Sequence, residues 1–209
     1  MRTAEASRGH GWRFARRSVL ILPFAKSLVL LLLFCLSAGA EGPALTENQI
    51  KAGFLFNFTR FVDWPADAFT AAESPIVLGI VGEDSFGDLL TQAAAGKTVN
   101  GRTVLVQRFK EEQNIRACNI LFVSASEEKL MARIFERLNG SSVLTVGETR
   151  GFAQSGGIIN FVIEDNRVRL EINLGAAARA RVKISAKVIG VARIVTDSVP
   201  GEKRASASF

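Results

Sequence analysis

Tyrosine is absent from the 209-residue sequence, histidine occurs once and cysteine twice, and each scarcity closes off a class of protein. The histidine, His10, and one cysteine, Cys35, fall in the first forty residues, which read as a segment removed from the mature chain. Arg13, Arg16, Arg17 and Lys26 precede an unbroken apolar run from Leu28 to Leu36 that closes in Ala38-Gly39-Ala40. That order is a secretory signal, with cleavage expected after Ala40. Lys26 leaves the run well short of the roughly 20 apolar residues of a spanning helix. Phe34 stands where a lipid-attachment motif wants a small residue before the cysteine, so Cys35 is not read as a lipid anchor.

From Glu41 onward there is neither His nor Tyr, and Cys118 is the lone cysteine. A disulfide framework within the mature monomer is thereby excluded even in an oxidising compartment. Zinc sites need nitrogen and sulfur ligands, and the carboxylate pairs Glu83/Asp84, Glu111/Glu112 and Glu127/Glu128 are sequence neighbours rather than an oxygen cage. No metal and no cofactor are expected. The leader holds 6 of the 26 Lys and Arg and only Glu5 of the 20 acids, leaving 20 basic and 19 acidic residues. The basic isoelectric point therefore belongs to the leader, and a nucleic-acid partner, which would want a basic domain or stripe, is not expected.

The mature chain carries one good core, without a linker or an internal repeat to divide it. Leu45-Thr46-Glu47-Asn48-Gln49-Ile50 is a helix start in which Thr46 caps, Gln49 reaches back and Leu45 staples onto Ile50. Ile50, Phe54, Phe58 and Phe61 share one face of that helix, which should run to the stop at Trp64-Pro65. So apolar a helix is either a core helix or one partly buried against a second subunit or a membrane protein. Strands are expected at 76–81, 103–109, 120–123 and 143–146, with helices through Leu89 to Ala95 and through Leu130, Ile134 and Leu138. Residues 157–163 and 168–172 flank Glu164-Asp165-Asn166-Arg167 as a hairpin, and two Ala-rich helical segments start at Leu174 and Ala186. The alternation predicts a three-layer α/β domain over 41–196: a mainly parallel sheet, helices on both faces, and an antiparallel hairpin near the C-terminal edge. Residues 197–209 read as a flexible tail.

Chemistry is hard to assemble from this inventory. Gly79, Gly82 and Gly87 surround a strand-to-helix turn without the spacing of a dinucleotide fingerprint or a P-loop. Ser126-Glu127-Glu128-Lys129 matches S-x-x-K, but the companion motifs are missing and helix capping explains the serine. Ser155 in Gln154-Ser155-Gly156 has no histidine to serve as its base. Glu164 and Glu171 flank the hairpin and read as turn chemistry rather than an acid/base pair. No catalytic residue is assigned. Arg179, Arg181, Lys183, Lys187 and Arg193 form the one sustained basic run of the mature chain, interleaved with Val182, Ile184, Val188 and Ile189. It reads as a solvated face, or as an amphipathic surface for an anionic ligand or an acidic partner.

Blocks spread along the mature chain resemble the YfiR family: Lys51-Ala52-Gly53-Phe54-Leu55-Phe56-Asn57-Phe58, Phe61-Val62-Asp63-Trp64-Pro65, Gly96-Lys97-Thr98-Val99-Asn100-Gly101-Arg102 and Cys118-Asn119-Ile120-Leu121-Phe122-Val123-Ser124. Leu144-Thr145-Val146-Gly147-Glu148, Gly151-Phe152-Ala153, Asp165 to Leu174 and Lys183-Ile184-Ser185-Ala186-Lys187 follow in the family's order. The resemblance implies a non-enzymatic periplasmic regulator, a homodimer, that binds an inner-membrane signalling protein. In the studied branch that partner is a diguanylate cyclase held inactive, so the output is cyclic-di-GMP. It also implies partner or ligand contact by surface residues in the segment of Glu171, Asn173, Lys183, Ser185 and Lys187. The studied branch has redox-sensitive disulfides, which lone Cys118 cannot form internally. The alternative is a periplasmic ligand-binding sensory module serving a membrane histidine kinase.

Overall fold

The computed structural model describes residues 45–110 and 112–198; the expected signal segment, its cleavage point and most of the expected tail lie outside the described residues. Helix α1, Glu47–Phe61, begins as the sequence reading expects. The Thr46 hydroxyl accepts from the Gln49 amide at 3.3 Å while the Gln49 side chain accepts from the Thr46 amide at 2.8 Å, so two otherwise orphaned helix N–H groups are satisfied. The helix ends at Phe61 rather than at Trp64-Pro65. Val62–Asp63 instead forms a short strand, β1, paired antiparallel with β9 (Lys183–Ile184).

Eight strands make the main sheet: β2 (Ile76–Val81), β3 (Thr98–Val99), β4 (Arg102–Phe109), β5 (Ile120–Val123), β6 (Leu144–Gly147), β7 (Ile159–Glu164), β8 (Arg167–Asn173) and β10 (Ala192–Val195). They lie in the order β10-β8-β7-β6-β5-β2-β4-β3. Pairing is parallel from β4 through β2, β5 and β6 to β7, then antiparallel between β7 and β8, with β10 parallel to β8. Asp165 and Asn166, at φ 51° and 57°, make the two-residue hairpin turn. Positive φ at both central positions matches the twist of the flanking strands, and Asp and Asn tolerate it better than most residues. The remaining helices are α2 (Leu89–Ala94), α3 (Met131–Leu138), α4 (Leu174–Arg179) and α5 (Ala186–Ile189).

Alternation in the strands sends side chains to two faces. On one, Leu78, Ile80, Ile120, Phe122, Leu144, Val146, Ile159 and Phe161 pack with Leu55 and Phe58 of α1. On the other, Val81, Leu121 and Val123 pack with Ile134 and Leu138 of α3 and with Phe152. The fold is thus the expected α/β architecture with a mostly parallel sheet. Two parts of the C-terminal region differ from expectation. The helix expected from Ala186 stops at Ile189, and Ala192–Val195 is a strand. That strand becomes the sheet edge, so the hairpin lies one place further in. Residues 197 and 198, read as tail, are bound to the domain: Asp197 pairs with Arg179 and the Ser198 amide donates to the Gln154 carbonyl at 2.8 Å. Among the described residues no helix is long and apolar enough to cross a membrane.

Candidate functional site

The five residues singled out from the sequence fall into two places. Strand β8 alternates, so Leu170 and Ile172 enter the α1-side core while Glu171 and Asn173 point to the opposite face. That face is not solvent. Arg193 of β10 stands beside Glu171, its Nη2 2.5 Å from Glu171 Oε1, and its Nη1 lies 2.9 Å from Glu164 Oε1. The side-chain amides of Gln154 and Asn160 donate to Glu171 Oε2 at 3.3 and 3.4 Å. The hydrogen bond that Arg193 donates to the Glu171 carboxylate also raises the pKa of its guanidinium. Asn173 is equally committed: Oδ1 accepts from the Ala176 amide as the cap of α4, and Nδ2 donates to the Ala153 carbonyl and to Asp197.

Glu171 is 5% exposed and Asn173 1%, so neither side chain stands free at the surface of the domain. Edge strand β10 and the 153–157 turn cover the polar face of β8, and both residues serve as internal ties. Three of the five cations of the basic run are likewise drawn into the domain's own ion pairs. Arg179 binds Asp197, Arg181 binds Asp67 at 2.8 Å and Arg193 binds Glu164 and Glu171.

Lys183, Ser185 and Lys187 lie elsewhere, at the C-terminal end of α1. The Ser185 amide donates to the Phe61 carbonyl at 2.9 Å, and its hydroxyl accepts from the Lys187 amide to cap α5. These bonds dock α5 onto the phenylalanine face of α1. Lys187 Nζ then sits 5.8 Å above the Phe61 ring, within reach of a cation–π attraction. Phe54, Asn57, Phe58, Phe61, Lys187, Val188 and Val191 enclose a groove of about 150 Å³. Val191 at its mouth is 65% exposed. Arg60 and Lys183 are exposed nearby, as is Asp63. An apolar socket with an ammonium at its rim suits an apolar anchor side chain flanked by acidic groups. Sequence reasoning singled out the Phe-rich helix and the basic segment separately; the β1–β9 pairing joins them into one surface.

The C-terminal ends of β2, β5 and β6, where doubly wound sheets hold ligands, are filled by the chain itself. Ser126 Oγ accepts from the Glu83 amide at 3.0 Å, and a side chain on Gly82 would lie 2.5 Å from that oxygen. Lys51, 5% exposed, binds Glu148 at 2.8 Å and Glu47 at 2.5 Å. Cys118 is buried, which pushes its thiol up to about 12, and Sγ donates to the Ile115 carbonyl. The Ser155 side chain is exposed and makes no hydrogen bond among the described residues. Nor do the described residues contain a group of three or more His, Cys, Asp or Glu able to hold a metal.

Comparison with known proteins gives a match of residues 48–193 to the family described as YfiR/HmsC-like. Among solved structures, similarity is found to an ABC domain in complex with L-Trp from Streptococcus pneumoniae, at 13% identity and a TM-score of 0.41, over 57% of this chain and 55% of that one. A conserved domain protein from Vibrio cholerae is similar at 12% identity and a TM-score of 0.43, over 56% of this chain and 54% of that one. The chain thus spans about half the length of each of these structures.

Proposed function

The chain belongs to the YfiR/HmsC-like family, and from that premise we propose that it is a non-enzymatic periplasmic regulator that binds and represses an inner-membrane signalling protein, a diguanylate cyclase, and so controls cyclic-di-GMP. The observation that carries the reading is the groove between α1 and α5, an apolar socket with Lys187 at its rim. It is an arrangement for holding another protein's side chain rather than for converting a substrate. Repression follows if the groove binds one state of the membrane protein more tightly than the other, because a ligand shifts a two-state equilibrium only by its differential affinity. An envelope signal that weakens the contact then releases the cyclase. Glu171 and Asn173 act in this scheme by holding β8, β10 and α4 in place, while Lys183, Ser185 and Lys187 shape and charge the contact surface. The family resemblance also carries a homodimer, which sedimentation equilibrium of the exported protein checks.

Two measurements test the reading together. Deleting the gene should raise cellular cyclic-di-GMP, and only an exported copy should restore it. Val191→Asp and Lys187→Glu should each fail to restore it while the variants accumulate and melt as the parent does. Unchanged cyclic-di-GMP after deletion would favour the sensory module serving a histidine kinase, and full restoration by both variants would remove the groove from the contact.

A further inference from the structure

The carboxylate of Asp197 is gripped from two sides. Arg179 Nη1 lies 2.9 Å from Oδ2 and Nη2 3.1 Å from Oδ1, while Asn173 Nδ2 donates to Oδ1 at 2.7 Å. A guanidinium fork with a converging amide donor is the geometry by which proteins recognise a carboxylate. Its receiving half is built into the domain. Asn173 is almost wholly buried and is fixed by its bonds to the Ala153 carbonyl and the Ala176 amide. The carboxylate, in contrast, arrives on the segment that leaves β10, and the Arg179–Asp197 pair is about half exposed, at 56% and 48%. Ion pairs so open to water are weakly held and exchange readily.

Arg179 has a second environment. The residue also lines a cleft of about 240 Å³ between α3 and α4. Phe135, Leu138, Val143 and Ile158 give this cleft apolar walls; its polar lining includes Glu136, Asn139 and the hydroxyls of Ser141 and Thr145, which are bonded to the Leu138 carbonyl and the Ile158 amide. One cation therefore serves both an apolar cleft and a carboxylate grip, as ligand sites with a few convergent polar groups do. We propose that Arg179 and Asn173 form a binding site for a small carboxylate with an apolar body seated in the α3–α4 cleft, and that Asp197 occupies the carboxylate position until such a ligand displaces it. The site is separate from the α1–α5 groove and does not depend on the identity of any protein partner.

The test is a titration of the protein, made from its full coding sequence, with benzoate, and with uncharged benzamide as control. The reporter is the Asn173 side-chain amide resonance. Asp197→Ala removes a tethered competitor, so it should bind benzoate about tenfold more tightly than the parent, and Asp197→Asn, which keeps the side-chain shape, should move affinity in the same direction. Adding Arg179→Gln to Asp197→Ala should abolish the gain, and benzamide should shift nothing. Equal benzoate affinity in parent and Asp197 variants, no binding by the Asp197 variants, binding that survives Arg179→Gln, or an equal response to benzamide would each overturn the proposal.

Discussion

Arg193 and Glu171 are direct neighbours across the β10–β8 ladder, and their side chains close the 2.5 Å contact that fastens the edge strand to the sheet. A carboxylate this buried is tolerable because its charge is matched by a guanidinium and its second oxygen accepts from two amides. The arrangement turns a residue that looks like a surface determinant into a structural one. It also determines what a charge reversal at this position does.

Glu171→Lys should therefore destabilise the domain by about 3–5 kcal/mol, the cost of leaving buried charge unmatched. Glu171→Gln, which keeps the shape and some hydrogen bonds, should cost clearly less. Urea unfolding of the two variants checks the order. If the lysine variant unfolds at the parent midpoint, the buried position of Glu171 is wrong.

Phe152 occupies the space that side chains on two glycines would need. A methyl on Gly147 would lie 2.4 Å from its ring and one on Gly157 2.2 Å. Phe152→Ala should cost about 3–5 kcal/mol through the cavity it leaves, and Gly147→Ala or Gly157→Ala about 1–3 kcal/mol through overpacking. Pairing either alanine substitution with Phe152→Leu should be less damaging than the sum of the single costs, which a double-mutant cycle by chemical denaturation measures.

Lys51 titrates above its ordinary value of 10.5: burial alone would lower it, but the hydrogen bonds and charges of Glu148 and Glu47 outweigh that. Because the folded pKa is raised, the stabilisation is fully present below the unfolded pKa and is lost as pH climbs through the folded one. Thermal stability should thus hold through neutral pH with respect to this group and fall in the alkaline range above 10.5. Lys51→Met should be less stable at pH 7 and show a shallower alkaline decline. A melting series from pH 7 to 12 would expose a mistake if both proteins declined in parallel.

How far these arrangements were legible beforehand depends on the distance over which they are decided. The Thr46/Gln49 capping box and the Asp165-Asn166 turn are set by residues three or fewer apart, and both stand in the structure as the sequence implies. Strand β10 is not legible locally because Ala186 to Thr196 reads as helix when taken alone; Ile194-Val195-Thr196 after Gly190 is the β-branched signal that points the other way. Nor, without that strand, is the position of Glu171 and Asn173, whose burial depends on the added edge. The pairing of Val62-Asp63 with Lys183-Ile184 has no local signature at all, since two short segments in distant parts of the chain meet only once the core has formed. The groove between α1 and α5 was unreadable for the same reason.

Native Cys118 should resist modification at pH 8, because its thiol is buried with a pKa of about 12 and Gly79 and Phe109 crowd the sulfur's surroundings. Its reaction with a disulfide reagent should proceed only as fast as the protein opens. Labelling in native buffer at the rate seen in denaturant would contradict the burial.

The β1–β9 ladder makes helix α1 wait for a distant, later part of the domain. Thr46 to Phe61 can coil as soon as those residues are made, but the Phe61 carbonyl is not engaged until Ser185 arrives, and the shared socket does not exist before then. Contacts of such long sequence separation form late and slow the overall folding rate. A nascent chain halted before β9 would leave the groove face of α1 without its α5 cover, a state fit for chaperones and proteases but without the socket. The binding surface is therefore acquired only when Lys183 to Val191 has been made and has docked on α1.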